Sequence, residues 1–181
     1  VKKEGELKCE CCSSEVIFKN GNIIRAHFAH KNIGNCIYKE NESEEHIIMK
    51  NSIYQGLRKY KFVENLEMEK YLGDCISDVY FEKGGMKYAV EIQLSDLTEQ
   101  KIIERNMKYK EKGIHVLWVH SYKRFLNRVD LKKKEVKLKS YERWLATMNY
   151  GTIYLWKNEE YIIPVVVKRT NVRGMRTVKS E

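Results

Sequence analysis

Met86-Lys87-Tyr88-Ala89-Val90-Glu91-Ile92-Gln93-Leu94, then Leu97–Lys112, then Ile114-His115-Val116-Leu117-Trp118-Val119, is the stretch on which the fold turns. The first segment alternates, with Ala89, Glu91 and Gln93 on one face of a strand and Tyr88, Val90 and Ile92 on the other. The second has helical spacing: Ile102, Arg105 and Tyr109 fall at i, i+3 and i+7, and Gly113 stands where a helix closes. The third is a short, nearly continuous apolar run, as expected of a strand buried on both faces.

Working outward toward the N-terminus, Lys83-Gly84-Gly85 reads as a turn, and Phe62–Glu69 and Cys75–Phe81 as two more strands. Before them, Ser43 offers an N-cap with acidic residues in the first turn, opening a helix to about Tyr60 with Met49, Ile53 and Leu57 as its buried stripe. Helix, three strands, helix and strand predict an α/β (α+β) fold, a mixed β-sheet flanked by helices. Further out, Val16–Lys19 and Asn22–His27 read as a hairpin joined at Asn20-Gly21. Toward the C-terminus the pattern weakens to a short helix around Ser140–Tyr150, a hairpin from Thr152 to Val167 and a basic tail expected to fray after Lys168. The expected regions are 1–42, an N-terminal metal-binding segment; 43–121, the core; and 122–181, a C-terminal extension.

Composition narrows the function classes. At 181 residues, 43% apolar and 33% charged, the chain suits one globular core with a small appendage. The longest apolar run is far short of the roughly 20 residues that cross a bilayer, so the expectation is a cytoplasmic protein with no membrane partner. A net charge of +9 suits a polyanionic partner, most commonly nucleic acid, or serves solubility alone.

Five cysteines, an odd number, fit a disulfide framework poorly. Cys9 and Cys12 form a C-x-x-C pair, followed by His27-Phe28-Ala29-His30 and Cys36. Two thiolates from a tight turn can chelate one zinc ion, and His or Cys from a neighbouring hairpin can complete a tetrahedron. On a strand, His27 and His30 point to opposite faces, so one of them joins Cys9, Cys12 and Cys36, with His30 preferred because it lies nearer Cys36. Such a closed site is structural; the alternative is reduced surface cysteines beside hairpin histidines.

Asp78 precedes the turn and Glu91-x-Gln93 follows it on the next strand. Carboxylates so placed suit a site that binds Mg²⁺ while a neighbour orients water for phosphodiester hydrolysis. The bland reading is an amphipathic hairpin with a solvated polar face. On the first helix, His46 and Lys50 share a face at i, i+4. Arg105, close to a buried stripe, must find an anion, either a carboxylate of the site or a phosphate.

Taken in order, Cys9-x-x-Cys12, His27-Phe-Ala-His30-Lys31, Cys36, Glu42-Ser-Glu44-Glu-His46 with Lys50, Asp78-Val79, Val90-Glu91-Ile-Gln93-Leu-Ser95, and Arg105 with Tyr109 resemble the competence protein CoiA-like nuclease family over roughly residues 9–120. The resemblance implies a PD-(D/E)XK, restriction-endonuclease-like core behind a zinc-finger-like region. It implies action on incoming DNA and its recombination during natural transformation, alongside recombination proteins. It makes Asp78 and Glu91 ligands of Mg²⁺ or Mn²⁺, Glu44 an accessory acid, and His46, Lys50, Arg105 and Tyr109 neighbours of the substrate. Gln93 stands where related nucleases carry a lysine. A shortened relative from a mobile element would fit equally, and so would a DNA-binding recombination accessory that has lost turnover.

Overall fold

The computed structural model describes residues 7–9, 12–20, 27–31, 42–133, 135–158, 160–169 and 176–178. The chain divides into two units, Val1–Ile47 and Ile48–Glu181, described separately below.

In the first unit, β1 (Val16–Lys19) pairs antiparallel with β2 (His27–His30), in register Val16↔His30 and Lys19↔His27. The second strand of the hairpin therefore starts where the sequence pattern had it ending; residues 21–26 lie outside the described set. Ahead of β1, an isolated bridge pairs Lys8 with Glu15, and the Val16 amide donates to the Leu7 carbonyl at 2.9 Å. These contacts fold the chain back between residues 8 and 15. The Cys9 amide donates to Ser14 O and the Ser13 amide to Cys9 O, both at 2.8 Å, with Ser13 at φ 58° closing the turn.

The helix α1 (Glu44–Arg58) begins on the predicted cap, since the Ser43 hydroxyl accepts from the His46 amide at 3.3 Å. In the second unit there follow β3 (Glu64–Tyr71), β4 (Ile76–Lys83), β5 (Met86–Gln93), α2 (Glu99–Glu111) and β6 (Ile114–Ser121). Then come α3 (Tyr122–Leu126), β7 (Val129–Asp130), β8 (Glu135–Val136), α4 (Ser140–Met148), β9 (Thr152–Lys157), β10 (Tyr161–Arg169) and β11 (Arg176–Val178). The mixed sheet runs β3-β4-β5-β6-β9-β10, and β10 passes on to β11, β8 and β7. Strands β3, β4 and β5 form an antiparallel meander, whereas β5–β6 and β6–β9 are parallel.

Local chemistry explains the boundaries. Gly84 and Gly85 have φ of 57° and 78°, the positive pair that a two-residue hairpin turn between Lys83 and Met86 requires. Gly113, at φ 66°, follows the C-cap Lys112 of α2. The strand read over Phe62–Glu69 starts two residues later, because Lys61 and Phe62 turn and a bulge with Asn65 at φ 47° displaces the register between Glu64 and Glu67. The tail is not wholly frayed: β11 pairs with Val167–Arg169, taking up the open backbone edge of β10.

Apolar layers cover both faces of the sheet. On one face Met49 and Ile53 of α1 pack with Val79, Val90, Ile92 and Val119. On the other, Tyr109 of α2 packs with Tyr80, Ala89 and Ile114, and Ile102 with Trp118, Tyr141 and Leu145. A third cluster, Phe125, Val136, Leu138, Ala146, Ile153 and Leu155, binds residues 122–155 into the same body. Met49 is fully buried, so truncating it to alanine would cost about 2–5 kcal/mol.

Candidate functional site

Strand β5 presents Glu91 to the face that α2 covers. That face is not solvated: Glu91 is 1% exposed and Gln93 7%. The solvated-hairpin reading therefore fails, and a buried carboxylate demands compensation of several kcal/mol. Arg105 and Tyr109, one turn apart on α2, supply it. Arg105 Nη2 lies 2.8 Å from Glu91 Oε2, and the Tyr109 hydroxyl donates to Glu91 Oε1. The same guanidinium donates to the Ile76 carbonyl at 3.0 Å, tying α2 to the start of β4. Burial works against the Arg105 charge, but Glu91, then Tyr109 and Asp78, outweigh it and raise its pKa. Burial raises the Tyr109 pKa as well, reinforced by Glu91, so the phenol stays a donor.

Asp78 sits on β4, one residue before Val79, where the β4–β5 ladder ends at the Val79↔Val90 pair. Its Oδ2 accepts from the Ile92 amide at 2.7 Å, which fixes the carboxylate against the backbone between Glu91 and Gln93. The two carboxylates thus come from adjacent strands, with Asp78 held at the amide of the residue next to Glu91. Hard carboxylate oxygens suit Mg²⁺ or Mn²⁺ by chemistry. Gln93 donates through Nε2 to Ser95 O at 2.6 Å and to Ser95 Oγ at 3.1 Å.

The other predicted residues fall as follows. Lys50 is buried on α1 and its Nζ meets Glu69 Oε1 of β3 at 2.5 Å. Glu44 is exposed in the first turn of α1. His46 Nδ1 lies 3.0 Å from Glu42 Oε1 within the first unit.

The hairpin unit gathers a second donor set. One atom each from Cys9, Cys12 and His30 lie within 4.8 Å of one another. Cys12 Sγ and His30 Nε2 are 3.3 Å apart, close to the roughly 3.6 Å edge that Zn–S and Zn–N bonds of tetrahedral zinc define. Sulfur, sulfur and imidazole suit zinc better than a hard cation. His30 is the histidine gathered with the two thiols among the described residues; Cys36 and the His27 side chain lie outside them.

One group escaped the sequence reading. His120, 5% exposed, is the penultimate residue of β6 and one beyond the predicted strand, paired in register with Gln93. Its Nδ1 lies 3.3 Å from the Gln93 carbonyl, and burial lowers its pKa to about 4. Nearby, Glu142 is buried and meets Arg128 through both oxygens, at 3.0 and 2.5 Å. Only the run of polar residues directly after the apolar Ile114–Val119 segment hinted at this cluster.

Comparison with known families agrees with these elements. The family described as "Competence protein CoiA, nuclease-like domain" matches residues 42–164, and "Competence protein CoiA, N-terminal domain" matches residues 1–39. No curated protein and no solved structure matches the chain. No helix among the described residues is long and apolar enough to cross a membrane.

Proposed function

The chain belongs to the competence protein CoiA family and carries its nuclease-like domain, and from that premise we propose that it is a metal-dependent deoxyribonuclease. It hydrolyses DNA phosphodiesters during processing and recombination, in natural transformation or on mobile-element DNA. The observation that carries this reading is the buried Glu91, held by Arg105 and Tyr109, with the Asp78 carboxylate of the next strand pinned to the adjoining Ile92 amide. A fold that only needed a stable sheet would place an apolar residue at position 91, because a buried ion pair is commonly no more stable than well-packed hydrocarbon.

Asp78 and Glu91 would hold one Mg²⁺ or Mn²⁺ ion, which when bound supplies Lewis-acid polarisation of the phosphoryl oxygens and a more acidic water. The chain's own residues do the rest. Arg105 and Tyr109 balance the charge of the Glu91 carboxylate and fix its direction. The Ile92 amide orients Asp78. Gln93, tethered through Ser95, lines the approach to the site with a neutral amide that can orient water. Lys and Arg side chains across the basic surface neutralise the DNA backbone. In the hairpin unit, Cys9, Cys12, His30 and Cys36 hold a structural zinc.

A specific observation favours one alternative, a DNA-binding recombination accessory without turnover. Both oxygens of Glu91 already meet protein donors, and the usual motif lysine is replaced by Gln93. One experiment separates the two: single-stranded, duplex and branched DNA incubated with Mg²⁺, Mn²⁺ or EDTA. Metal-dependent cleavage that Asp78→Ala abolishes supports the nuclease; binding without cleavage of any form under any condition supports the accessory.

A further inference from the structure

Beyond the carboxylates, β5 and β6 end on a cavity of about 250 Å³ within the second unit. Its walls come from the ends of β5 and β6, the segments after them and the start of α4, and Gln93, two residues along β5 from Glu91, lines it. Three kinds of chemistry converge there. The first is charge. Arg124, Arg128 and Lys139 line the cavity against Asp96 and Glu142. Glu142 is neutralised by Arg128 and by the Lys139 amide at 2.8 Å, so that pair is internal to the wall. Asp96, with a side chain 76% exposed, holds Lys139 in an ion pair on the solvent side, and such pairs open at a cost of about 1 kcal/mol or less. Arg124 is oriented by a bond from Nη1 to the Leu94 carbonyl at 3.2 Å. An entering anion therefore meets Arg124 and a Lys139 that is easily released.

The second is aromatic. Phe125 and Tyr141 line the cavity, and the rings of His120 and Tyr141 lie 5.9 Å apart, tilted by 39°. The third is a fixed acceptor. A carbonyl can only accept, so His120 Nδ1 carries the proton donated to Gln93 O, and the neutral ring's Nε2 is left as an acceptor.

We propose that this cavity receives the terminal nucleotide of a DNA strand, with Arg124 and Lys139 on its phosphomonoester and the aromatic wall against its base. At about 250 Å³ the space is of single-nucleotide rather than duplex scale. A terminal phosphate carries about −1.5 to −2 charge against −1 for an internal diester, so two cations at a closed end favour a strand end. The inference deepens the nuclease reading, on which the choice of DNA rests: a nucleotide held beside Gln93 puts the adjoining phosphodiester toward Glu91, making the enzyme end-directed.

The test measures binding in EDTA, so that it does not depend on turnover. Fluorescence anisotropy compares the full chain on 5′-phosphorylated, 3′-phosphorylated and unphosphorylated linear single strands and on a closed circle of equal length. One phosphorylated end should bind about tenfold tighter than the circle, the value of one charge-assisted contact, and which end does so fixes the polarity. Arg124→Ala and Lys139→Gln, both at solvent-reached positions, should each narrow that difference below about threefold. A free deoxynucleoside monophosphate should displace the linear strand and not the circle. Equal binding of circle and phosphorylated ends, or variants that weaken both alike, overturns the proposal. An end preference that depends on Arg124 in a protein that cleaves nothing keeps the pocket and removes the nuclease; cleavage without end preference does the reverse.

Discussion

Lowering the pH should destabilise the second unit in part through His120, and the size of that part follows from its surroundings. Glu142, Arg128, Lys139, Tyr141 and the Gln93 carbonyl face this ring. Burial dominates, with Arg128 and Lys139 acting in the same direction, against Glu142 and the Gln93 carbonyl; the pKa falls from 6.5 to about 4. A histidine with a depressed folded pKa is neutral in the native protein while the unfolded chain takes up a proton. Its contribution is therefore present in full above pH 6.5, declines as the pH falls through that value, and is exhausted near pH 4. The full span amounts to about 3 kcal/mol, of which about 2 kcal/mol is lost by pH 5. The assay is urea unfolding at pH 7.5, 6 and 5, for the wild type and His120→Gln. All three tryptophans, Trp118, Trp144 and Trp156, lie in the second unit, so intrinsic fluorescence reports on that unit. Carboxylates titrate equally in both proteins, so the difference between the two curves isolates the ring. Glutamine keeps a donor for Gln93 O but cannot titrate. The variant's stability should fall less steeply between pH 7.5 and 5, by about 2 kcal/mol. Parallel pH dependences would refute the reasoning.

Other outcomes follow from the sites. Purified chain should carry about one zinc. Cys12→Ser should release it and unfold the hairpin unit while tryptophan fluorescence holds; full stability of metal-free protein would exclude a structural zinc. Asp78→Ala and Glu91→Ala should each reduce cleavage by several decades while DNA binding persists. Because Glu91→Ala also removes the Arg105 partner, Asp78→Ala is the cleaner variant, and undiminished cleavage by it would rule out the drawn site. Gln93→Ala should lose less than either carboxylate variant, and Gln93→Lys should retain activity in the same assay. DNA affinity should fall steeply with salt whatever the sequence, and a flat salt dependence in anisotropy titrations would exclude a phosphate-neutralising surface.

Local rules carried the reading where structure is local. Alternation over residues 86–94 yields β5, and Gly113 yields the end of α2, because strand pleat and helix termination are set by adjacent residues. The start of α2 was placed too early, since Thr98 rather than a residue before Leu97 caps it by accepting from Lys101 N. The partnership of Arg105 with an anion was legible from helical phase, and that anion proved to be Glu91. His30 was legible as a candidate ligand from its closeness in sequence to Cys36, whereas the register that sets it opposite Val16 was not, because the hairpin was read as ending at His27. The cavity was not. Its walls come from residues 93–96, 120–128 and 139–142, three segments brought together only by the crossovers of the sheet, and no spacing within a window encodes that. The same limit hid the C-terminal third: residues 122–164 match the family, and their strands complete the core sheet.

The place of β6 has a consequence for how the chain is made. It lies between β5 and β9 and pairs in parallel with both, but its β9 partners, such as Tyr154 for Val119, emerge from the ribosome some thirty-five residues after it. At about 5–20 residues per second, the meander and β6 can assemble while one edge of β6 stays unsatisfied for seconds. That edge belongs to an apolar strand, the kind most prone to pair with another chain. A nascent chain halted between residues 121 and 152 is thus the species most in need of a chaperone. Synonymous changes that slow translation there should raise aggregation without altering the finished protein.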